Sequence, residues 1–263
     1  AVLQMRYEYL YNEWKNDPEK FWINAAQNID WIKFPSFALD SSNTPFYKWF
    51  PDGLVNTCYN AVDRHVIKGK GEKTAIIYDS AIRSVKEKIT YSQLLERVTK
   101  FAHAMSNAGI TKGDRVIIYM PMIPEAIVSM LACSRIGAIH SVVFGGFASN
   151  ELAVRIDDAK PKAIIAGSCG IEPTSIIPYK PLLDKAIEQA NHKPNFCVIF
   201  QRDELQAPLV SNRDYDWYEF QKSSSECTCI PVFGNDPLYI LYTSGTTGQP
   251  KGVVRPTAGH LVS

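Results

Sequence analysis

The chain has no unbroken apolar run long enough to cross a membrane. Its longest apolar stretch, residues 116–133, carries Pro121, Pro124 and Glu125 in its middle, so it predicts a strand, a loop and a helix rather than a span. A bias of charge is missing too. The 28 basic residues face 27 acidic ones without a long block of either sign, which gives a nucleic-acid backbone or an anionic membrane surface nothing to hold. No nucleic-acid partner is expected. Six cysteines are scattered without the spacing of a disulfide scaffold, and Cys227-Thr228-Cys229 is too tight for common zinc spacing; they point to a reducing compartment. The five histidines, His65, His103, His140, His192 and His260, offer neither metal-ligand spacing nor a partner set for a Ser-His-Asp triad, so they read as structural or surface groups and no protein-held metal is assigned. Repeats and low-complexity tracts are absent. The first residues show neither a transit-peptide composition nor an apolar signal core, but a mature or trimmed chain would lack them too, so either reducing compartment, mitochondrial matrix or cytoplasm, stays open, and nothing in the pattern sets an oligomeric state.

What is present is the composition of a globular protein with a sizeable core, 46% hydrophobic and 21% charged residues. Residues 1–72 form an aromatic-rich arm: Trp14, Trp22, Trp31, Trp49, Tyr7, Tyr9 and Tyr11 lie at helical and irregular spacings that suit an arm packed on a core better than a stack of ligand-binding rings. Over 73–235 apolar runs alternate with amphipathic segments. Strands are expected at 74–78, 114–120, 138–143, 162–166 and 196–200. Helices are expected from Thr90-Tyr91 to Gly109 and over 125–135, 150–158 and 181–191. This alternation predicts an α/β fold with a mainly parallel sheet flanked by helices. Residues 201–235 read as a surface excursion, and 236–263 as the opening of a second αβ subdomain.

That last segment carries the most informative string. After the apolar run 238–241 comes Tyr242-Thr243-Ser244-Gly245-Thr246-Thr247-Gly248-Gln249-Pro250-Lys251-Gly252. Glycines let backbone N–H groups approach an anion, hydroxyls donate, and the lysine adds charge, so a strand feeding such a loop suits a polyphosphate. Walker A spacing does not fit, because Lys251 is followed by Gly252 rather than Ser or Thr. A plain surface turn is the alternative, but a turn does not require the whole ordered string behind a buried strand. ATP is the expected ligand, held by Thr243, Ser244, Gly245, Thr246, Thr247, Gly248 and Lys251.

The loop resembles the phosphate loop of adenylate-forming enzymes. The resemblance extends through Tyr59-Asn60-Ala61-Val62-Asp63-Arg64-His65, Met120-Pro121-Met122-Ile123-Pro124-Glu125, Arg135-Ile136-Gly137-Ala138-Ile139-His140 and Phe144-Gly145-Gly146-Phe147-Ala148, which look like the acetyl- and propionyl-CoA synthetases. Val253-Val254-Arg255-Pro256-Thr257 is closer to the propionate-CoA ligase branch, since the acetate branch tends to carry His-Thr at the Arg-Pro position. The resemblance implies ATP with Mg2+ and coenzyme A as substrates beside a small carboxylate, and acyl-adenylate as the intermediate. The alternatives are acetate activation or a non-catalytic nucleotide- or partner-binding role. The ribose aspartate and distal catalytic lysine of that family are not among these residues, so the chain is expected to be an N-terminal part of such a ligase with no catalytic residue of its own. By the same resemblance, Phe144, Gly145 and Gly146 approach the pantetheine arm of CoA. Glu172, Pro173, Thr174 and Ser175 fall where related enzymes place CoA-phosphate arginines. Glu172 and Ser175 depart from that pattern and weaken phosphate binding there, with Lys180 the nearest candidate to compensate.

Overall fold

A computed structural model describes residues 2–244 and 248–263 of the chain. Seven strands form the central sheet: β1 (Arg115–Met120), β2 (Ile139–Phe144), β3 (Ala163–Gly167), β4 (Phe196–Phe200), β5 (Asp214–Asp216), β6 (Pro237–Thr243) and β7 (Lys251–Pro256). Their order is β5-β4-β3-β1-β2-β6-β7. All neighbours are parallel except β6 and β7, which form an antiparallel hairpin. The expected α/β architecture is therefore present, and the expected strands and helices lie within a few residues of their predicted bounds.

Four helices cover the sheet: α1 (Tyr91–Asn107), α2 (Pro124–Arg135), α3 (Ser149–Ala159) and α4 (Tyr179–Gln189). Thr90 caps α1 with a reciprocal capping box to Gln93, which satisfies two orphan backbone donors and is worth about 1 kcal/mol. Gly109, at φ +91°, ends it. On one face α1 and α2 bury Val98, Phe101, Met105 and Val128 against Val116, Ile118, Ile165 and Val198. On the other, α3 and α4 bury Leu152, Ile156 and Leu183 against Ile117, Ile164 and Ile199. The alternation of inward side chains along each strand fills both faces. Each large apolar side chain so buried contributes roughly 1.5–3 kcal/mol. Because α2 lies on one face and α3 on the other, the loops leaving β1 and β2 part to opposite sides, and a crevice opens at their carboxyl ends.

Three differences from the sequence reading have physical causes. Residues 201–235 are not only a surface excursion: Asp214–Asp216 is an edge strand, and Trp217 is buried with its ring stacked on Phe101 at 4.1 Å. The strand expected to open a new unit pairs with this same sheet at Tyr239–His140, and the Ser141 hydroxyl donates to the Ile240 carbonyl at 2.9 Å. The arm divides in two. Trp22, Trp31, Trp49 and Phe50 pack around Ala26, Ala38 and Ala258, whereas Tyr7, Tyr9, Tyr11 and Trp14 on the first helix (Val2–Asn16) are exposed.

One amide ties the arm to three carbonyls of the main unit. Asn56 Nδ2 donates to the carbonyls of Ser134 (3.1 Å), Arg135 (3.2 Å) and Ile230 (2.8 Å), and its Oδ1 accepts from Tyr59 N at 3.1 Å. Arg135, itself buried, donates to both carboxylate oxygens of Asp63 at 2.8 and 2.9 Å.

Candidate functional site

The β6–β7 hairpin sets Thr243 directly opposite Lys251. Its two strands thus bring together the first hydroxyl and the closing lysine of the glycine-rich string at the carboxyl end of β6. Lys251 is exposed and forms no ion pair with any described residue. Gly248 adopts φ +80° with open space around it, a backbone that only glycine takes without cost. Gly245, Thr246 and Thr247 lie outside the described residues.

Beside the hairpin is a cleft of about 560 Å³, lined among others by Phe144, Phe147, Arg155, Tyr242, Ser244 and Gly248. Sequence reasoning missed its central residue. Arg155, on α3, lies buried between two rings, 5.1 Å from Phe147 and 5.5 Å from Tyr242, where its cation meets both π-faces. Its Nη1 donates to the Glu151 carbonyl at 2.7 Å and to Glu151 Oε2 at 3.0 Å. The Tyr242 hydroxyl donates to Asp158 Oδ2 at 2.6 Å. Burial, then that hydrogen bond, hold the Tyr242 phenol well above its ordinary range, so the ring adds no negative charge beside the glycine-rich string. The helical spacing of 151, 155 and 158 puts all three side chains on one face of α3, but only the unforeseeable approach of the hairpin gives that face a purpose.

The Phe144-Gly145-Gly146-Phe147 segment ends β2 in a tight turn, with Phe147 N donating to Phe144 O at 3.2 Å. Both glycines are required by the turn. A Cβ on Gly145 would stand 2.9 Å from the Met120 carbonyl group and 2.6 Å from the Tyr179 ring, and Gly146 sits at φ +91°. Tyr119 donates to the Phe147 carbonyl at 2.8 Å, and burial pushes its phenol up to about 12. Phe144 itself is 69% exposed, beside the Phe147 ring.

Glu172, Pro173, Thr174 and Ser175 form the exposed turn of a small hairpin between Cys169–Ile171 and Ile176–Pro178, closed by Glu172 N to Ser175 O at 2.9 Å. They do not line the cleft beside the hairpin. Lys180 cannot compensate for the missing arginines. Its side chain is buried, 2.8 Å from Asp214 and from Asp184, with Arg213 paired to the same two carboxylates, so its charge is already neutralised inside the fold.

Comparison with known proteins agrees with this geometry. The profile "AMP-binding enzyme" matches residues 63–263, and "Acetyl-coenzyme A synthetase N-terminus" matches residues 7–61. Acyl-CoA synthetase short-chain family member 3, mitochondrial, of Mus musculus is 52% identical over 247 residues, which is 94% of this chain and 36% of that protein. The Propionate--CoA ligase of Escherichia coli and the Acetyl-coenzyme A synthetase of Desulfatibacillum aliphaticivorans are each 44% identical, over 98% of the chain and 41% and 40% of their own lengths. The chain therefore spans about two fifths of these relatives or less. In structure, the Acetoacetyl-CoA Synthetase from Streptomyces lividans superposes with a TM-score of 0.85 at 21% identity, covering 95% of this chain and 38% of that one, which is a likeness of fold. From Asp63 through the β6–β7 hairpin to Ser263, the chain belongs to the AMP-binding enzyme family, with relatives among the acyl-CoA synthetases.

Proposed function

We propose that this chain supplies the triphosphate-binding part of an ATP-dependent short-chain acyl-CoA synthetase, acting on propionate in preference to acetate. The carboxylate attacks the α-phosphate of ATP, giving acyl-adenylate and pyrophosphate, and the thiol of CoA then displaces AMP. The observation that carries the reading is the pairing of Thr243 with Lys251 at the carboxyl edge of the sheet, where open α/β sheets bind ligands. Thr243, Ser244 and Gly248, with Gly245, Thr246 and Thr247 of the same string, surround the phosphates, and Lys251 offsets charge moving onto the leaving pyrophosphate. Mg2+ would arrive with the triphosphate as part of the substrate and would offset phosphate charge. The carboxylate lining this cleft, Glu151, is engaged by Arg155, so no protein-held metal is assigned.

By the resemblance, Phe144 would flank the pantetheine arm, and residues 236–263, whose two strands complete the central sheet, would lead into a second αβ subdomain. The preference for propionate follows Arg255-Pro256, and the mitochondrial matrix is the compartment the resemblance favours. Among the described residues no catalytic base or nucleophile is assigned. The test is carboxylate-dependent ATP–pyrophosphate exchange in a protein of the relatives' full length carrying this stretch. Lys251→Ala should slow exchange by roughly 10- to 100-fold, one lost charge-assisted contact, and leave thioester formation from pre-made propionyl-adenylate nearly unchanged. Equal loss in both half-reactions, or faster exchange with acetate than with propionate, overturns the corresponding part of the proposal.

A further inference from the structure

At the opposite, amino-terminal edge of the sheet, Cys229 meets two groups of one helical segment, Cys58 and Asp63. Cys58 Sγ, Cys229 Sγ and a carboxylate oxygen of Asp63 all lie within 4.8 Å of one another. Cys58 is fully buried, whereas Cys229 is half-buried and lines an open cleft of about 500 Å³ with Asp63, Arg135 and Thr228. Arg135 reaches into the same cluster, donating to both Asp63 oxygens and to Cys58 Sγ at 3.4 Å.

We propose that Cys58 and Cys229 form a redox-reactive dithiol that a small peroxide converts reversibly into a disulfide.

Two features favour bond formation between the sulfurs over a bound metal. Both Asp63 oxygens already accept from Arg135, and the guanidinium stands against one sulfur, so a dication entering here would meet a fixed positive charge. An S–S bond adds no charge. Cys58 Sγ, which accepts from that guanidinium at 3.4 Å, is the sulfur placed to resolve an oxidised neighbour. Interaction with the Cys58 thiol, then burial, hold the Cys229 thiol well above its ordinary range, so its thiolate is scarce and its reaction with peroxide is slow at neutral pH.

The chemistry balances as follows. Cys229, facing the cleft, loses its proton and attacks the peroxide O–O bond, giving a sulfenic acid and water. The Cys58 thiolate then attacks Cys229 Sγ and displaces hydroxide, which takes up the proton Cys58 gave away. Two thiols and one hydrogen peroxide become one disulfide and two waters. The two segments are already tied together, because the Asn56 side chain donates to the Ile230 carbonyl at 2.8 Å, each residue lying within two positions of a partner cysteine. Disulfides in reducing compartments are typically transient and sensing.

The test treats the purified chain with hydrogen peroxide under native conditions, blocks remaining thiols and maps linked peptides. The expected result is the loss of two thiols, one Cys58-containing crosslink to the 227–229 segment, recovery with dithiothreitol, and a melting temperature several degrees higher in the oxidised form, since the link closes a long loop. Cys227→Ser should keep the crosslink and Cys229→Ser should abolish it. A crosslink that survives Cys229→Ser, oxidation of Cys229 to sulfinic acid with Cys58 left free, or stoichiometric Zn2+ retained through dialysis with both thiols protected would overturn the proposal. The mapping on the unsubstituted chain stands even if a variant fails to fold.

Discussion

His140 is a buried imidazole on β2 whose Nδ1 has no hydrogen-bond partner among the described residues. Burial, then the charge of His260, lower its pKa from 6.5 to about 4. The folded chain therefore binds fewer protons than the unfolded one between those values. Stability from neutral His140 is complete above pH 6.5 and lost as the pH falls toward 4, by roughly 3 kcal/mol in all. His140→Gln should flatten that part of the stability curve, read by urea unfolding at pH 7 and pH 4.5; a variant as acid-sensitive as the parent refutes the assignment. Glu172 raises a different question. A carboxylate on the exposed 172–175 turn repels phosphate, so Glu172→Ala in a protein of full relative length should leave CoA affinity unchanged or slightly better. A marked loss of CoA affinity by calorimetry would reveal a contact that the turn's present geometry does not suggest.

The turn after β2 sets the next scale. A methyl group on Gly145 meets main chain at Met120 as well as a buried tyrosine ring, and main chain cannot swing aside. Gly145→Ala should thus cost about 1–3 kcal/mol, as overpacking does, visible as a lower thermal midpoint; an unchanged midpoint would mean that the turn relaxes freely. The elements themselves were legible because each carries its own local signal: the Thr90–Gln93 box, the glycine after α1 and the apolar runs of β1 to β4 are all written in neighbouring residues. The hairpin strand that leads into the glycine-rich string was legible for the same reason in the apolar run 238–241. What escaped the sequence depends on partners far along the chain. Arg155 looks like any charged residue of an amphipathic helix until Phe147 and Tyr242 close on it. Lys180 looks available until Asp214 and Asp184 claim it. Strand β5 is three residues of polar sequence, Asp214–Asp216, and only the adjacency of β4 makes it a strand.

Across the whole molecule, the sheet is covered unevenly. On the face carrying His140, residues Val142, Phe144, Leu241 and Val253 stay partly or largely exposed among the described residues, a contiguous apolar area of the kind monomeric surfaces seldom leave open. This chain should accordingly enhance the fluorescence of an apolar dye in its folded state. Leu241→Gln should reduce that signal while shifting the melting temperature little; undiminished fluorescence would place the dye elsewhere. The amide of Asn56 bears on how the molecule comes into being. Its shortest bond is to the carbonyl of Ile230, a residue synthesised long after it. During translation the arm thus emerges well before its clasp exists, and its tryptophans, which pack on one another and on Phe50, still lack Ala258. Nascent chains halted before Ile230 leaves the ribosome should leave the arm open to protease, and the last thirty or so residues should close it in a late step, as long-range contacts do.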